Sequence, residues 1–389
     1  MSAPTPPPYG AQGLNALLPA LAAGMGSRAA DVAAGAEGLA LGTGPVVVLL
    51  LVDGLGARAL PQHASIAPTL VGLAAGAATL SAGFPSTTAT SLTSLGTGLV
   101  PGRHGVVGYT FGLPSARPGG PPTLLHALRF DDDVDPLEVQ PSPTLPERLT
   151  AAGVEVSHVG PPPHAGSGLT RAALRGARYL PAAAPGQRVA AAVAAAQDAV
   201  ADDRPALVYV YYGELDSVGH DTGSSSLAWH AQLAHVDLLA AQLMAGLPAG
   251  ADLVVTADHG MVDPQTRVDL DADPGYGDGV VLLGGEPRAR HVYTRAGAAA
   301  DVAAAWSALL GDRAWVARRD EAVAAGLFGA VADWVAPRLG DVVVVPGEGV
   351  ALVAPGAEPA ESALVGMHGG LTPDEVEVPL LIAPGQGRR

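Results

Sequence analysis

Val46–Val52 is an uninterrupted apolar run rich in β-branched residues, and a carboxylate, Asp53, follows it directly. A run this short, with no alternation of polar positions, predicts a strand buried on both faces. Comparable runs recur at Val154–Val159, Leu207–Tyr212, Leu253–Thr256 and Pro379–Ala383. Between them the spacing turns helical: Leu14–Met25, continuing in Ala-rich style over Ala29–Leu41, then Thr144–Ala152, Arg188–Ala201 and Ser224–Leu247. Strands alternating with helices predict a mainly parallel sheet covered on both sides. From about Val268 to Pro346 the texture changes to short strand-like pieces, 290–294 and 342–345, around a helix at 298–310. That stretch reads as an insertion, giving a core over 1–265, an inserted cap subdomain over 266–345 and the rest of the core over 346–389. Pro- and Gly-rich loops fill 114–122 and 160–168, and no internal repeat occurs.

Composition narrows the chemistry. With 389 residues, 48% hydrophobic and 15% charged, the chain can bury a large core, and disorder of the whole is excluded. All 21 basic residues are arginine, which removes a P-loop lysine, a Schiff-base lysine and a lysine general base together. The formal charge of −16 argues against a nucleic-acid polymer as partner, since such affinity rests on clustered cations. Without cysteine there is no thiolate ligand or nucleophile, so any metal must be held by histidine and carboxylate. The Pro-rich, uncharged start lacks the basic region of a signal peptide. The longest apolar run falls far short of the ~20 residues of a membrane span. A cytoplasmic protein with no membrane partner is the expectation.

The polar residues that follow the strands carry the functional signal, because ligands of open α/β sheets collect at the carboxyl ends of strands. Asp53 follows the first run; Glu214 and Asp216 follow the third, with His220 one helical turn beyond Asp216. Asp258-His259 follow the fourth, and His368 lies in Gly366-Met-His-Gly-Gly370, just before the last. Alone, Asp216 with His220 reads as a helix cap and a surface histidine, and Asp258-His259 is equally bland. Repeated together, four carboxylates and three histidines at one predicted edge point to a metal site. Phe84-Pro-Ser-Thr-Thr88 opens a further helical pattern running to Gly98. It reads as a helix N-terminus capped by Ser or Thr, and equally as a hydroxyl beside free N–H donors that favour phosphate.

Other readings fall away. Gly54-Leu-Gly-Ala-Arg-Ala59 approaches a dinucleotide fingerprint, but the required acid ~20 residues on is missing. Asp269-Leu-Asp-Ala-Asp273 lacks the glycine and glutamate of a calcium loop, and Asp131–Asp133 with Asp135 reads as a solvated loop. No Gly-x-Ser-x-Gly occurs.

The ordered set Leu51-Val-Asp-Gly54, Phe84-Pro-Ser-Thr-Thr88, Thr97-Gly98 with Pro101 and His104-Gly105, Tyr211 to Gly223, Thr256-Ala-Asp-His-Gly-Met261 and Gly366-Met-His-Gly369 resembles the alkaline phosphatase superfamily, in its nucleotide pyrophosphatase/phosphodiesterase branch. The resemblance spans about residues 46–385. It implies an alkaline-phosphatase-like three-layer αβα sandwich and a two-metal site. Asp216, His220 and His368 would hold one ion; Asp53, Asp258, His259 and the nucleophile Thr88 would hold the other, with Glu214 in a supporting position. Where many members carry Asn after the His-Gly-Val-Val-Gly stretch, this chain has Tyr109, whose hydroxyl could take over substrate binding. Histidine with carboxylate suits zinc (Zn2+), while manganese and iron remain compatible. The implied reaction is hydrolysis of a phosphodiester or pyrophosphate bond in a small phosphate ester such as a nucleotide, through a phospho-threonine. No arginine can be placed beside Thr88 from the sequence, which favours a singly charged diester over a dianionic monoester. A phosphomonoesterase or phosphonate hydrolase of the same superfamily is the alternative, and a non-catalytic binding protein with a degraded site the distant one.

Overall fold

The computed structural model describes residues 1–30, 32, 38–115, 120–130 and 134–385. The middle of the helix expected over 29–41, part of the 114–122 loop and the acidic Asp131–Asp133 therefore lie outside the described residues. Seven strands form the central sheet, in the order Ala78–Ser81, Glu377–Ala383, Ala251–Thr256, Val46–Val52, Ala206–Tyr212, Glu155–Gly160, Arg178–Pro181. Strand 377–383 runs antiparallel to both of its neighbours, and the remaining pairings are parallel. Every residue of 46–52 is buried, as a run with no polar alternation requires of a strand covered on both faces. On one side helix Pro185–Ala201 packs on strands 46–52, 155–160 and 206–212, and on helix Leu227–Gly246 beside it. Helix Leu145–Ala151 packs against strand 155–160 and against helix Thr88–Thr97.

The register places the chemistry. Val52 is level with Tyr212, and Leu51 with Thr256. The residues that leave these three strands therefore enter loops at the same height. An antiparallel bridge from Ser86 to Gly369, and another from Val262 to Met367, tie the remaining loops to that edge.

A second sheet, antiparallel throughout, orders Val280–Glu286, Ala289–Thr294, Val342–Pro346, Ala314–Arg318. Helix Ala299–Leu310 lies on it over a separate apolar cluster that includes Val292, Trp306, Val342 and Val344.

Expected helices mostly appear with small boundary changes. Thr144 caps 145–151 through a reciprocal pairing with Glu147, and Ser226 caps 227–246. The chain is helical at Leu14–Ala16, Leu17–Ala23 and Ser27–Ala30, but not over 38–41, where the expected continuation fails. Gly38 and Gly42 adopt φ of +97° and +64°, conformations that end a right-handed helix. Among the described residues no helix is long and apolar enough to cross a membrane.

Candidate active site

Two clusters of side chains meet at the carboxyl edge of the central sheet. The first joins Asp53, from the loop after strand 46–52, with Asp258 and His259, from the loop after 251–256. His259 Nε2 is 3.3 Å from Asp53 Oδ1 and 3.6 Å from Asp258 Oδ2. Thr88, the first residue of helix 88–97, donates its hydroxyl to the same Nε2 at 3.1 Å. The second cluster is carried by helix Glu214–Thr222, where one turn separates Asp216 from His220 and puts Nε2 3.2 Å from Oδ2. His368 Nε2 closes it, 3.3 Å from His220 Nε2 and 3.9 Å from Asp216 Oδ1. Gly54 lets the clusters approach: at φ +76°, its absent Cβ would sit 3.0 Å from the Asp216 side chain.

The histidines share a tautomer. Nδ1 of His259, His220 and His368 lies 2.9, 2.8 and 3.0 Å from the carbonyl oxygens of Gly260, Gly366 and Ser86. A carbonyl can only accept, so Nδ1 carries the proton and Nε2 turns a lone pair into the site. His259 Nε2 thus faces carboxylate oxygens acceptor to acceptor, and His220 and His368 face each other likewise. Such gaps need a cation or an added proton. Asp53 Oδ1, Asp216 Oδ1 and Asp258 Oδ2 are buried without a hydrogen-bond partner.

Electrostatics agree. Burial pushes the Asp53 carboxyl well above the usual carboxylate range, and the neighbouring Asp258 and Asp216 charges push the same way. Asp258 is raised as well, first by burial. Burial would also raise Asp216, but His220, His368 and His259 hold it below its ordinary value. Burial disfavours a charged His220, yet Asp216 outweighs it and pushes the group up to about 9. His368 goes well below the usual range through burial and the adjacent His259. Carboxylates this close and this buried cannot all ionise without added positive charge. Among the described residues no arginine pairs with Asp53, Asp216 or Asp258; their ion-pair partners are histidines. The donor set fits divalent cations. The tightest groupings, with all donor atoms within 4.8 Å, are Asp53, Asp258, His259 and Asp216, His259, His368. His259 therefore belongs to both, and His220 stands beside the second triad rather than within it.

The helix that begins at Thr88 lacks the cap its hydroxyl-rich sequence suggests. Thr87 occupies the N-cap position, but its side chain makes no cap bond and turns to Glu286 instead. The first N–H groups of the helix, which opens at Thr88 itself, therefore have no side-chain cap.

Two cavities flank Thr88 and Asp216. The larger, about 510 Å³, continues between Asp53, Tyr211, Leu128, Leu169 and His164. The smaller, about 260 Å³, runs past Thr87, Tyr109, Arg129, Glu286 and His368. Arg129, one of the arginines whose place the sequence leaves open, lines the same cavity as Thr88. The Tyr109 hydroxyl donates to Glu361 Oε1 at 3.0 Å and lies 2.8 Å from His126 Nε2, so its proton is already engaged. Glu214 turns to Arg188, which grips it with Nη2–Oε1 at 2.6 Å and Nη1–Oε2 at 2.9 Å, fixing the start of helix 214–222. Sequence reasoning assigns no role to two further residues. Tyr211, one position before the strand's last residue and the first of the quoted Tyr211-to-Gly223 stretch, donates its hydroxyl to Asp53 Oδ2. Glu286 comes from the second sheet, and no sequence signal marks it.

Comparisons with known proteins accord with this layout. The family described as type I phosphodiesterase / nucleotide pyrophosphatase matches residues 47–371. The chain belongs to that family, within the alkaline phosphatase superfamily. No curated protein sequence matches it. Murine ectonucleotide pyrophosphatase / phosphodiesterase 5 is 19% identical, with TM-score 0.66 and coverage of 86% of this chain and 87% of that one. An inactive variant of that murine protein in complex with AMP gives TM-score 0.67 at 19% identity over 86% of this chain and 87% of that one. Phosphonoacetate hydrolase from Sinorhizobium meliloti 1021, in complex with phosphonoacetate, is 20% identical with TM-score 0.63, covering 88% and 92%. At these identities the likeness is one of fold: the αβα sandwich with a mainly parallel sheet.

Proposed function

We propose that this member of the type I phosphodiesterase / nucleotide pyrophosphatase family hydrolyses a phosphodiester or pyrophosphate bond of a small phosphate ester, a nucleotide in the first instance, with Thr88 as nucleophile. The observation that carries this is the place of the Thr88 hydroxyl: at an uncapped helix N-terminus, 3.1 Å from His259 Nε2, where two cavities meet. Asp53, Asp258, His259 and Thr88 would hold one divalent cation, and Asp216, His220 and His368 the other, zinc being the ion this donor set suits best. Bound there, the cations supply Lewis-acid polarisation of the phosphoryl oxygens and lower the pKa of the threonine hydroxyl.

The chain's own groups do the rest. Thr88 Oγ gives up its proton and attacks phosphorus as the bond to the leaving oxygen breaks and that oxygen takes a proton, giving a phospho-threonine that keeps the nucleoside group. Water then attacks phosphorus, the bond to Oγ breaks, Thr88 regains a proton, and the nucleoside monophosphate departs. N–H groups at the head of helix 88–97 face the phosphoryl oxygens. Tyr211 holds Asp53, and backbone carbonyls hold the histidines, so the site is set before substrate arrives. The larger cavity, walled by Leu128, Leu169 and Tyr211, has the size and apolarity for a nucleoside. The AMP held by the inactive murine variant supports that choice. We take 266–345 as an inserted cap, since Glu286 within it reaches the smaller cavity.

One observation favours a second reading. Arg129, in the wall of the cavity that Thr88 also lines, could meet a second negative charge, as a phosphonate or monoester hydrolase requires. Comparing kcat/KM for bis-p-nitrophenyl phosphate, the nitrophenyl diester of thymidine monophosphate and p-nitrophenyl phosphate separates the two. The diesters should be preferred, and Thr88→Ala should abolish their turnover while Thr87→Ala and Thr90→Ala act far more mildly. A clear preference for the monoester, lost in Arg129→Ala, would establish the second reading instead.

A further inference from the structure

Three of the buried carboxylates at the sheet edge are accounted for by the proposed ligand set. A fourth, Glu286, is left over. It ends strand 280–286 and is only 5% exposed, yet among the described residues no arginine forms an ion pair with it. Arg288 is taken by Glu375, at 2.9 and 2.7 Å, and Arg290 by Glu358, at 2.6 Å. Glu286 Oε1 is buried without a partner, as are the unpartnered oxygens of Asp53, Asp216 and Asp258. Its Oε2 lies 3.7 Å from His368 Nδ1, on the side of the ring away from Asp216 and His220. Room for it is specific: Gly369 has φ +116°, and a Cβ there would stand 2.6 Å from Glu286 Cδ. The chain thus keeps a carboxylate directly behind one histidine, with the Thr87 hydroxyl as its other polar neighbour and no arginine pair among the described residues.

A carboxylate behind a metal-binding imidazole fixes the ring and raises its basicity as a ligand. We infer that Glu286 is a positioning residue for His368: its carboxylate, 3.7 Å behind Nδ1, favours the Nδ1–H tautomer that donates to the Ser86 carbonyl, so that the Nε2 lone pair is held toward Asp216 and His220. This inference rests on the two-cation reading above. It also accounts for a buried carboxylate without an arginine partner among the described residues, since a cation on the far side of the imidazole would supply the balancing charge.

The test uses the full chain, zinc and a chromophoric chelator as competitor. Glu286→Gln should weaken one of the two zinc ions by roughly 10–100-fold and leave the other unchanged. In chelator, the variant should melt no lower than the parent, while zinc should raise its Tm by less. Glu361→Gln, on the same cavity wall, should leave both zinc affinities as they are. Unchanged zinc affinity in Glu286→Gln overturns the inference alone. A variant that melts well below the parent in chelator, with the same gain from zinc, assigns Glu286 to the fold and also overturns it. An equal loss in Glu361→Gln makes the effect one of general wall charge and overturns it too. A parent protein that takes up no zinc, manganese or iron overturns the two-cation reading together with this inference.

Discussion

Glu375 and Asp258 are both fully buried carboxylates, and their surroundings drive them in opposite directions. Glu375 accepts Nε and Nη2 of Arg288 at 2.9 and 2.7 Å, the Thr372 hydroxyl at 2.7 Å and the Gly370 N–H at 2.9 Å. Burial would raise it, but Arg288 outweighs burial and the carboxyl is held below its ordinary value. Asp258 is raised, with an unpartnered oxygen turned toward His259 and a second carboxylate, Asp53, across the gap. Burial is the same; what differs is whether the chain supplies the counter-charge. Where it does, the pair is structure. Where it does not, the site is built for a charge that comes from outside.

The sharpest way to break that contrast is at His259, the one side chain common to both tight triads. His259→Ala should lower turnover of the preferred diester by a thousandfold or more, on the order seen when a group at the reacting centre is removed. Bound metal, by elemental analysis, should fall with it, while the fold remains. Full metal content and near-normal turnover in this variant would mean that the acceptor-to-acceptor geometry carries no ligand function.

The opposite cluster should fail through the fold. Arg288→Met leaves Glu375 buried without its cation, a loss of about 3–5 kcal/mol. The denaturant midpoint reads it, and replacing both partners by apolar residues should recover most of it. Metal bound per folded molecule should stay unchanged. A variant that keeps its stability but loses metal would erase the distinction between the two clusters.

How much of this the sequence discloses follows from the same geometry. Asp53, Asp216 and Asp258 were legible because each follows an apolar run. Parallel strands in register, Val46 level with both Ala206 and Ala251, bring run ends to one edge. Local pattern therefore fixed global position. Glu286 and Arg129 were not legible, since each reaches the site from a segment whose place depends on tertiary packing. The Ser or Thr cap that the hydroxyl-rich stretch suggests is absent for a different reason: Thr87 takes the N-cap position, but whether its hydroxyl bonds back to the helix depends on side-chain geometry alone. The failed helix at 38–41 belongs to backbone conformation, because Gly38 and Gly42 take positive φ where the Ala-rich texture suggested continuity.

Tyr109 gives the smallest expected effect and the finest test of the rule. Its position in the smaller cavity, and the family resemblance of the stretch that it ends, suggest that its hydroxyl binds a phosphate oxygen. The contacts suggest otherwise. A phenol has one proton to give, and Glu361 Oε1 receives it at 3.0 Å; His126 Nε2, at 2.8 Å, supplies the bond that the phenol oxygen accepts. Burial, then Glu361, also pushes the phenol above its ordinary range, so it stays protonated and its proton remains with Glu361. A polar group satisfied within the chain resembles Arg288 more than Asp258, and its removal should be felt as packing. Tyr109→Phe should then cost about 0.5–1.5 kcal/mol of stability, the net worth of an ordinary hydrogen bond. kcat/KM for the preferred diester should change by no more than a few-fold. A loss of a hundredfold or more, concentrated in kcat, would show that substrate draws the proton away from Glu361. The rule would then need restating: partners inside the chain mark structure only when no substrate competes for them.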